Sequence, residues 1–357
     1  MNPRLIRKLS LTAVLSLSVT AFAACSSGSK SNGGAEEAAP TQSDYTKAVE
    51  LVNASTDGTE PLYAELNAGF VLSWKSRTGQ TVTVRQETGA SSEQEQAIIK
   101  GDSKADVVTL GIGTDIDAIQ TAGVVGEGWQ QRYDYNSSPF YTAVAFVVRS
   151  GNPKGILEWE DVVKDGVAIV TANPSAYSDA RWYYAAPWAY SLDANPDDQE
   201  KAKAFVTDFH NRVKTLAKSD ADAQKAFLDG NEGDVWVTTE QKALQLAESA
   251  GKGKIEIVVP SVTLTVEPIV SVVDRNADDK GIREVANAYT DYLFTEEAQT
   301  SAAKFGFRSR FASVAEQNAG KFPEVSLLTV DDNLTGWEDL QQALFSDSGL
   351  FKQLPAK

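Results

Sequence analysis

VAIVTANPSAYSDARWYYAAPWAY, Val167 to Tyr190, is the stretch from which the fold is read. Val167, Ala168, Ile169 and Val170 form a short apolar run rich in β-branched residues, suited to a strand covered on both faces. Asn173-Pro174 ends that strand, because the residue before a proline is pushed away from helical angles. From Asp179 the composition is helical, and Ser178 or Asp179 is placed to cap the first turn. Strand, polar turn and helix start make one α/β crossover. The free N–H groups of such a helix start, with the positive end of its dipole, can hold an anion without any basic side chain. An ordinary capped crossover has the same pattern, so the stretch points to an α/β fold and leaves the site open.

Upstream, ELVNASTD (Glu50 to Asp57) reads as a strand that leaves its sheet through Asn53, Ser55, Thr56 and Asp57, a candidate ligand loop. Leu62, Leu66, Phe70 and Trp74 recur every four residues and lie on one side of a helix that Gly79 closes; these aromatics read as core. Thr81 to Arg85 is a strand, and Ser91 and Ser92 lie in the turn before a helix ending at Lys100. Ser92 and Glu95 have the spacing of a capping box, giving a second strand, polar loop and helix start able to grip an anion.

AIIKGDSKADVVTL (from Ala97) and AFLDGNEGDVWVTT (from Ala226) share one layout of helix end, glycine stop, loop, aspartate and apolar strand. They lie 129 positions apart, from 97 to 226, too far for a solenoid repeat and suited to two similar α/β lobes. The apolar runs Thr142 to Val148 and Val266 to Arg275 would carry the chain between lobes. Gly281 to Phe294 and Thr295 to Phe305 read as amphipathic helices, the second opened by Thr295.

The chain opens differently. Arg4, Arg7 and Lys8 precede an apolar run, Leu9 to Ala24, that is too short for a stable membrane span and reads as a signal peptide. Phe22-Ala23-Ala24-Cys25 resembles the lipobox of bacterial lipoproteins, so the sole cysteine is expected to carry lipid. Ser26 to Ser43 is a Ser/Gly/Ala/Glu tether without apolar periodicity. Removing residues 1–24 takes three of the 33 Lys+Arg and none of the 49 Asp+Glu, leaving 30 against 49 and a net charge of −19. That charge argues against a basic patch for nucleic acid or for an anionic membrane surface. The roughly 310 residues that follow exceed one ordinary core and favour two lobes.

Catalytic groupings are few. His210 is the only histidine and, among charged neighbours, is expected to face solvent. With one histidine and one cysteine the common nucleophilic triads and zinc sites are nearly excluded, although hydrolysis by paired carboxylates stays open. Asp115/Asp117 and Asp220/Asp222 read as solvated loop acids. Neither GxxxxGK[ST] nor GxGxxG occurs, and the inventory suits a binding protein, with no cofactor or metal, better than an enzyme.

ADVVTL with DIDAI (Asp115 to Ile119), NSSPF (Asn136 to Phe140), VRSGNPKGI (Val148 to Ile156), the ANP…ARWYY run from Ala172, GDV at Gly233 and EPIVSVVD (Glu267 to Asp274) resemble the periplasmic sulfate/thiosulfate-binding proteins of ABC importers, from about Val49 to about Lys352. The resemblance implies an α/β, two-lobe type II periplasmic-binding fold, each lobe a mixed sheet flanked by helices, closing over a small oxyanion held by backbone N–H groups, hydroxyls and helix N-termini. It implies as partners a membrane permease with its ATPase, a membrane contact through the N-terminal lipid only, and a monomer. The expected division is 1–24 signal peptide, 25–44 lipidated cysteine and linker, 45–141 first lobe, 142–267 second lobe and 268–357 a return to the first lobe. Position by position, Asp57 stands at the family's first-loop aspartate and Ser91 at its pocket serine. Tyr177 replaces a ligand serine, Ser178 and Asp179 replace two glycines, and Thr239 replaces a pocket tryptophan. The acidic SDADAQKAF (Ser219 to Phe227) replaces a ligand loop. The candidate ligand set is thus Ser55, Asp57, Ser91, Ser92, Tyr177, Ser178, Asp179 and Thr239, with Asp179 expected to turn away and cap its own helix or pair with Arg181.

Overall fold

The computed structural model describes residues 44–357. The expected signal peptide, Cys25 and all but the last residue of the linker stretch lie outside the described residues. Among those described, no helix is long and apolar enough to cross a membrane.

Among the described residues, eleven strands form two sheets. β1 (Val49–Thr56), β2 (Val82–Gly89), β3 (Val107–Leu110) and β10 (Ile269–Val272) make the first, in the order β10-β3-β1-β2. The second contains β4 (Thr142–Arg149), β5 (Ile169–Ala172), β6 (Val213–Ala217), β7 (Val235–Thr239), β9 (Val262–Val266) and β11 (Ser326–Leu328) in the order β11-β9-β4-β7-β5-β6, with β8 (Ile255–Val258) on β4. The two sheets repeat one plan: β1 lies parallel between β2 and β3, as β5 lies between β6 and β7, and an antiparallel strand, β10 or β4, closes the far side of each.

The echoed sequence motif is the device that sets this plan. Asp106 donates its N–H to Val52 O (2.7 Å) while its Oδ2 accepts the Val52 N–H (2.8 Å), which pins the start of β3 to β1. Asp234 does the same to Ala168, through N–H to O (2.7 Å) and N–H to Oδ2 (2.9 Å), and pins β7 beside β5. A short acceptor on the residue just before a strand satisfies a neighbour's N–H that the ladder does not reach.

Helices cover both sheets. The stripe Leu62, Leu66, Phe70 and Trp74 of helix Glu60–Thr78 is buried in one core with Tyr289 and Leu293, and Gly79 closes the helix in the left-handed conformation. Helix Arg283–Leu293 and helix Glu296–Lys304, capped by Thr295 Oγ1 on Ala298 N, complete that side. Trp159, Tyr183, Tyr184 and Phe209 fill the second core.

Two expectations fail here. The tail does not stay with the first lobe: β11 pairs with β9, and Val330, Leu334, Leu340 and Leu344 pack into the second core, where their apolar faces find cover. His210 is 2% exposed, held between the Tyr184 hydroxyl at Nδ1 and Pro355 O at Nε2, and burial lowers its pKa. The tail's return to this helix shields a ring that its charged sequence neighbours leave looking solvated.

Candidate functional site

The carboxyl ends of the parallel strands of both sheets point at one place, where open α/β sheets bind their ligands. There Thr56 and Asp57 after β1, Gly111 after β3, Asp179 and Trp182 beyond β5, and Thr239 and Lys242 beyond β7 line a cavity of about 40 Å³. Thr142 and Val266, at the ends of the two chain crossings, complete its wall. A space of this size takes a few waters or one small ion.

Side chains tie the two halves together across the cavity. The Tyr177 hydroxyl donates to Asp57 Oδ1 (2.8 Å), the Ser178 hydroxyl to Asp115 Oδ2 (2.7 Å), and Trp182 Nε1 to Gly111 O (2.7 Å). Arg181 Nη1 donates to Thr114 Oγ1 (3.0 Å) and lies 4.0 Å from Asp115 Oδ1.

The local chemistry of the 177–181 loop departs from expectation. Ser178 to Ala180 form a 3₁₀ turn ahead of the helix Arg181–Ala194, and neither Ser178 nor Asp179 caps it. Each has a stronger partner from the other half, which only tertiary structure supplies. The capping box at Ser92 and Glu95 is likewise absent: helix Ser91–Lys100 begins at Ser91 without a side-chain cap, because the preceding residue is Ala90.

Asp179 therefore does not turn away. It is 8% exposed and lines the cavity; Oδ1 is buried without a hydrogen-bond partner among the described residues. A Cβ at position 111 would overlap its carboxyl group, so Gly111 is what makes room for it. Ser91 Oγ accepts the Gly111 N–H (2.7 Å), which holds the Ser91 hydroxyl near Asp179. Burial pushes Asp179 up to about 7, with Lys242 and Ser91 opposing and Asp115 and Asp57 adding to the rise. Burial likewise pushes Asp115 up to about 6 against its Ser178 and Arg181 partners.

Lys242 is the cation of the site. It follows Thr239, whose Oγ1 caps helix Glu240–Glu248 by accepting from Lys242 N (3.3 Å). Its Nζ bonds Asp220 Oδ2, donates to the Tyr177 hydroxyl (3.1 Å) and sits 5.2 Å from the centroid of that ring. Burial opposes its charge, but Asp220, then Asp57 and Asp179, outweigh this and raise its pKa. Asp115 and Asp220, read from sequence as solvated, are 3% and 4% exposed, since helix packing brings both into the interlobe region.

Of the candidate residues, Asp57, Asp179 and Thr239 line the cavity; Ser91 reaches it through Asp179, and Tyr177 through Asp57 and Lys242. Ser178 is engaged by Asp115. Ser55 is taken up inside its own half by Thr59 Oγ1 (2.9 Å) and Gln86 Nε2 (2.9 Å), and half-buried Ser92 does not line the cavity. Sequence reasoning missed Lys242, Gly111 and Trp182. A lysine one turn into a helix that opens on a candidate ligand residue was the available signal for the first.

The family profile described as bacterial extracellular solute-binding protein matches residues 51–308. The chain is 41% identical to the sulfate-binding protein of Escherichia coli strain K12 over 308 residues, 86% of this chain and 93% of that one. It is 38% identical to the thiosulfate-binding protein of Pseudomonas aeruginosa over 305 residues, 85% and 91% of the two chains. The solved structure of the sulfate-binding protein SubI from Mycobacterium tuberculosis H37Rv aligns with a TM-score of 0.73 at 30% identity, covering 83% of this chain and 99% of that one. A ferric binding protein from Campylobacter jejuni shares the fold at a TM-score of 0.57 and 13% identity, covering 82% and 96%. Matched almost end to end by relatives of this kind, the chain belongs to the sulfate- and thiosulfate-binding protein family of bacterial extracellular solute-binding proteins and has their two-lobe type II periplasmic-binding fold.

Proposed function

We propose that this chain is the extracytoplasmic receptor of an ABC importer, capturing a small oxyanion of the sulfate class between its lobes and delivering it to a membrane permease and its ATPase, without catalysing a reaction. The observation that carries the reading is the 41% identity to a sulfate-binding protein across 93% of that protein's length. The site supports it: Lys242 supplies one partly buried positive charge, and the helix beginning at Glu240 starts beside the cavity. Residues 45–141 and 268 to about 311 would form one lobe and 142–267 with the tail the other, joined near Thr142 and Val266. Export through the segment ending at Ala24, a lipid on Cys25 and a monomeric state belong to the same reading.

A ligand that binds only the folded protein raises its melting temperature by mass action. Sulfate or thiosulfate should therefore stabilise the purified protein in a concentration-dependent way, most strongly at mildly acidic pH. Thermal scans at pH 5.5 and 8 that show no shift with sulfate, thiosulfate or phosphate would refute the oxyanion receptor. Unchanged membrane partitioning of Cys25→Ser would refute the anchor. A second reading, an oxyanion that arrives with its own proton, such as hydrogen phosphate, is favoured by the buried carboxyl group of Asp179.

A further inference from the structure

The Asp179 carboxyl group is the part of this cavity that an anion receptor does not call for, and its place is over-determined. The Gly111 backbone lies against it, the neighbouring Ser91 is fixed by the Gly111 N–H, and its Oδ1 is buried with no hydrogen-bond partner among the described residues, in a residue that lines the cavity. The charges that face it are unbalanced. Asp57 at the end of β1 and Asp115 on helix Gly113–Thr121 are acidic; Lys242 is the cation, and Asp220 at the start of helix Asp220–Leu228 already binds it. Arg181, on Asp179's own element, is directed to Thr114 and Asp115, where Glu95 of helix Ser91–Lys100 adds one more acid. The neighbouring phenols, Tyr177 and Tyr183, are raised well above their ordinary range by burial and stay neutral.

A fully ionised oxyanion here would meet one ammonium and, beside it, an ionised carboxylate of like charge at close range. Protonation reverses the role of Asp179: a neutral carboxyl group offers an O–H donor to the ligand and leaves the attraction of Lys242 unopposed by it.

Resting on the oxyanion reading above, we propose that Asp179 is the specificity-determining residue of the cleft, a neutral carboxyl group that donates a hydrogen bond to the bound oxyanion, so that capture of a fully ionised oxyanion takes up one proton. An oxyanion that carries its own proton needs no uptake, because it can donate to the ionised carboxylate instead. The cleft thereby accepts an anion and a proton together, from either source.

Burial places Asp179 at about 7 before any ligand arrives, and a neighbouring anion moves it further up. Isothermal titration of the purified full chain with sodium sulfate between pH 5.5 and 8.5, in paired buffers of different ionisation enthalpy, tests the proposal. Affinity should level off on the acid side of this range and fall by about tenfold per pH unit above about 7, as one-proton linkage requires, with uptake approaching one proton at pH 8.5. Asp179→Asn, neutral at every pH and of the same shape, should bind sulfate with a flat profile across that alkaline limb and more tightly than the parent at pH 8.5. Asp115, which burial pushes up to about 6, is present in both proteins, so the alkaline limb above about 7 is the part of the profile that reports on Asp179.

Parent affinity without an alkaline limb, or an Asn variant that keeps it, overturns the proposal and leaves the receptor reading standing. Cooperative melting of both proteins with no binding of sulfate, thiosulfate or phosphate at any pH refutes the receptor reading and this proposal with it. Should the Asn variant fail to fold, Ser91→Ala carries the same test. It removes a hydroxyl beside Asp179 that opposes the rise in its pKa, so the midpoint of the profile should move to higher pH, and an unmoved midpoint counts against Asp179.

Discussion

Glu240 and Lys242 stand two residues apart in the first turn of one helix, the first buried and the second partly buried, in opposite company. Arg308 grips both Glu240 oxygens, Nε to Oε2 at 2.6 Å and Nη2 to Oε1 at 2.9 Å, and its Nη2 also reaches Pro323 O. Its guanidinium lies over the Phe322 ring, and its backbone bridges to Tyr141 where the chain enters β4. That cluster is neutral and closed. Around Lys242, by contrast, one ammonium faces Asp220, Asp57 and Asp179, and the Oδ1 atoms of Asp179 and Asp220 have no partner among the described residues. Buried charge is tolerated when each group is matched and bonded, so the closed pair acts as a rivet and the open cluster as a place where something else completes the charge.

Breaking the rivet should cost the most. Arg308→Met leaves Glu240 buried and unpaired, and the ligand-free protein should lose about 3–5 kcal/mol in urea unfolding. A loss below about 1 kcal/mol would show that the pair is not structural and erase the contrast.

Next comes pH. Asp179 and Asp115 have folded pKa values of about 7 and about 6, above their unfolded value near 3.8. Between those limits the folded state binds more protons than the unfolded state, so ligand-free stability should fall as pH rises from about 5 to 7, by about 3–4 kcal/mol for the pair. Urea midpoints at pH 5 and pH 8 check the sign, and a higher midpoint at pH 8 would mean that neither carboxyl group is held neutral.

Lys242→Met sharpens the comparison from the other side. It removes one charge-assisted contact to the ligand, a bond worth about 1.5–3 kcal/mol, and sulfate affinity at pH 5.5 should drop by roughly 10- to 100-fold. The melting temperature should move less than in Arg308→Met, since Asp220 keeps the Tyr183 hydroxyl as a donor (2.5 Å) and Asp179 can answer the lost cation by taking a proton. Equal destabilisation by the two variants would make both clusters structural. The smallest effect belongs to Ser91→Ala, which strands the Gly111 N–H and should cost about 1–2 kcal/mol of stability.

Much of the frame was legible before any coordinates. The four-residue stripe of helix Glu60–Thr78, the Thr295 cap and the twin Asp106 and Asp234 motifs each depend on residues close in sequence, and the structure builds each where the pattern placed it. The site was legible by halves. Asp57 follows from where a strand ends, while Ser91 and Thr239 come from the family resemblance, and the caps expected at Ser178 or Asp179 and at Ser92 did not form. A capping side chain competes with every other partner that folding brings near, and Asp115 won that competition for Ser178.

The amino-acid sequence by itself thus determined the α/β class, the repeated lobe plan and which loops lie at strand ends, because periodicity, turn residues and first-turn caps act over a few residues along the chain. Only the tertiary structure decided that Asp179 points into the cavity, that Lys242 answers it, and that Asp115, Asp220 and His210 are buried. Those facts are set by which segments, from Asp57 through Gly111 and Asp179 to Lys242, are carried to one point. They depend also on how much water is excluded there, which fixes the protonation of each group and has no counterpart in local sequence.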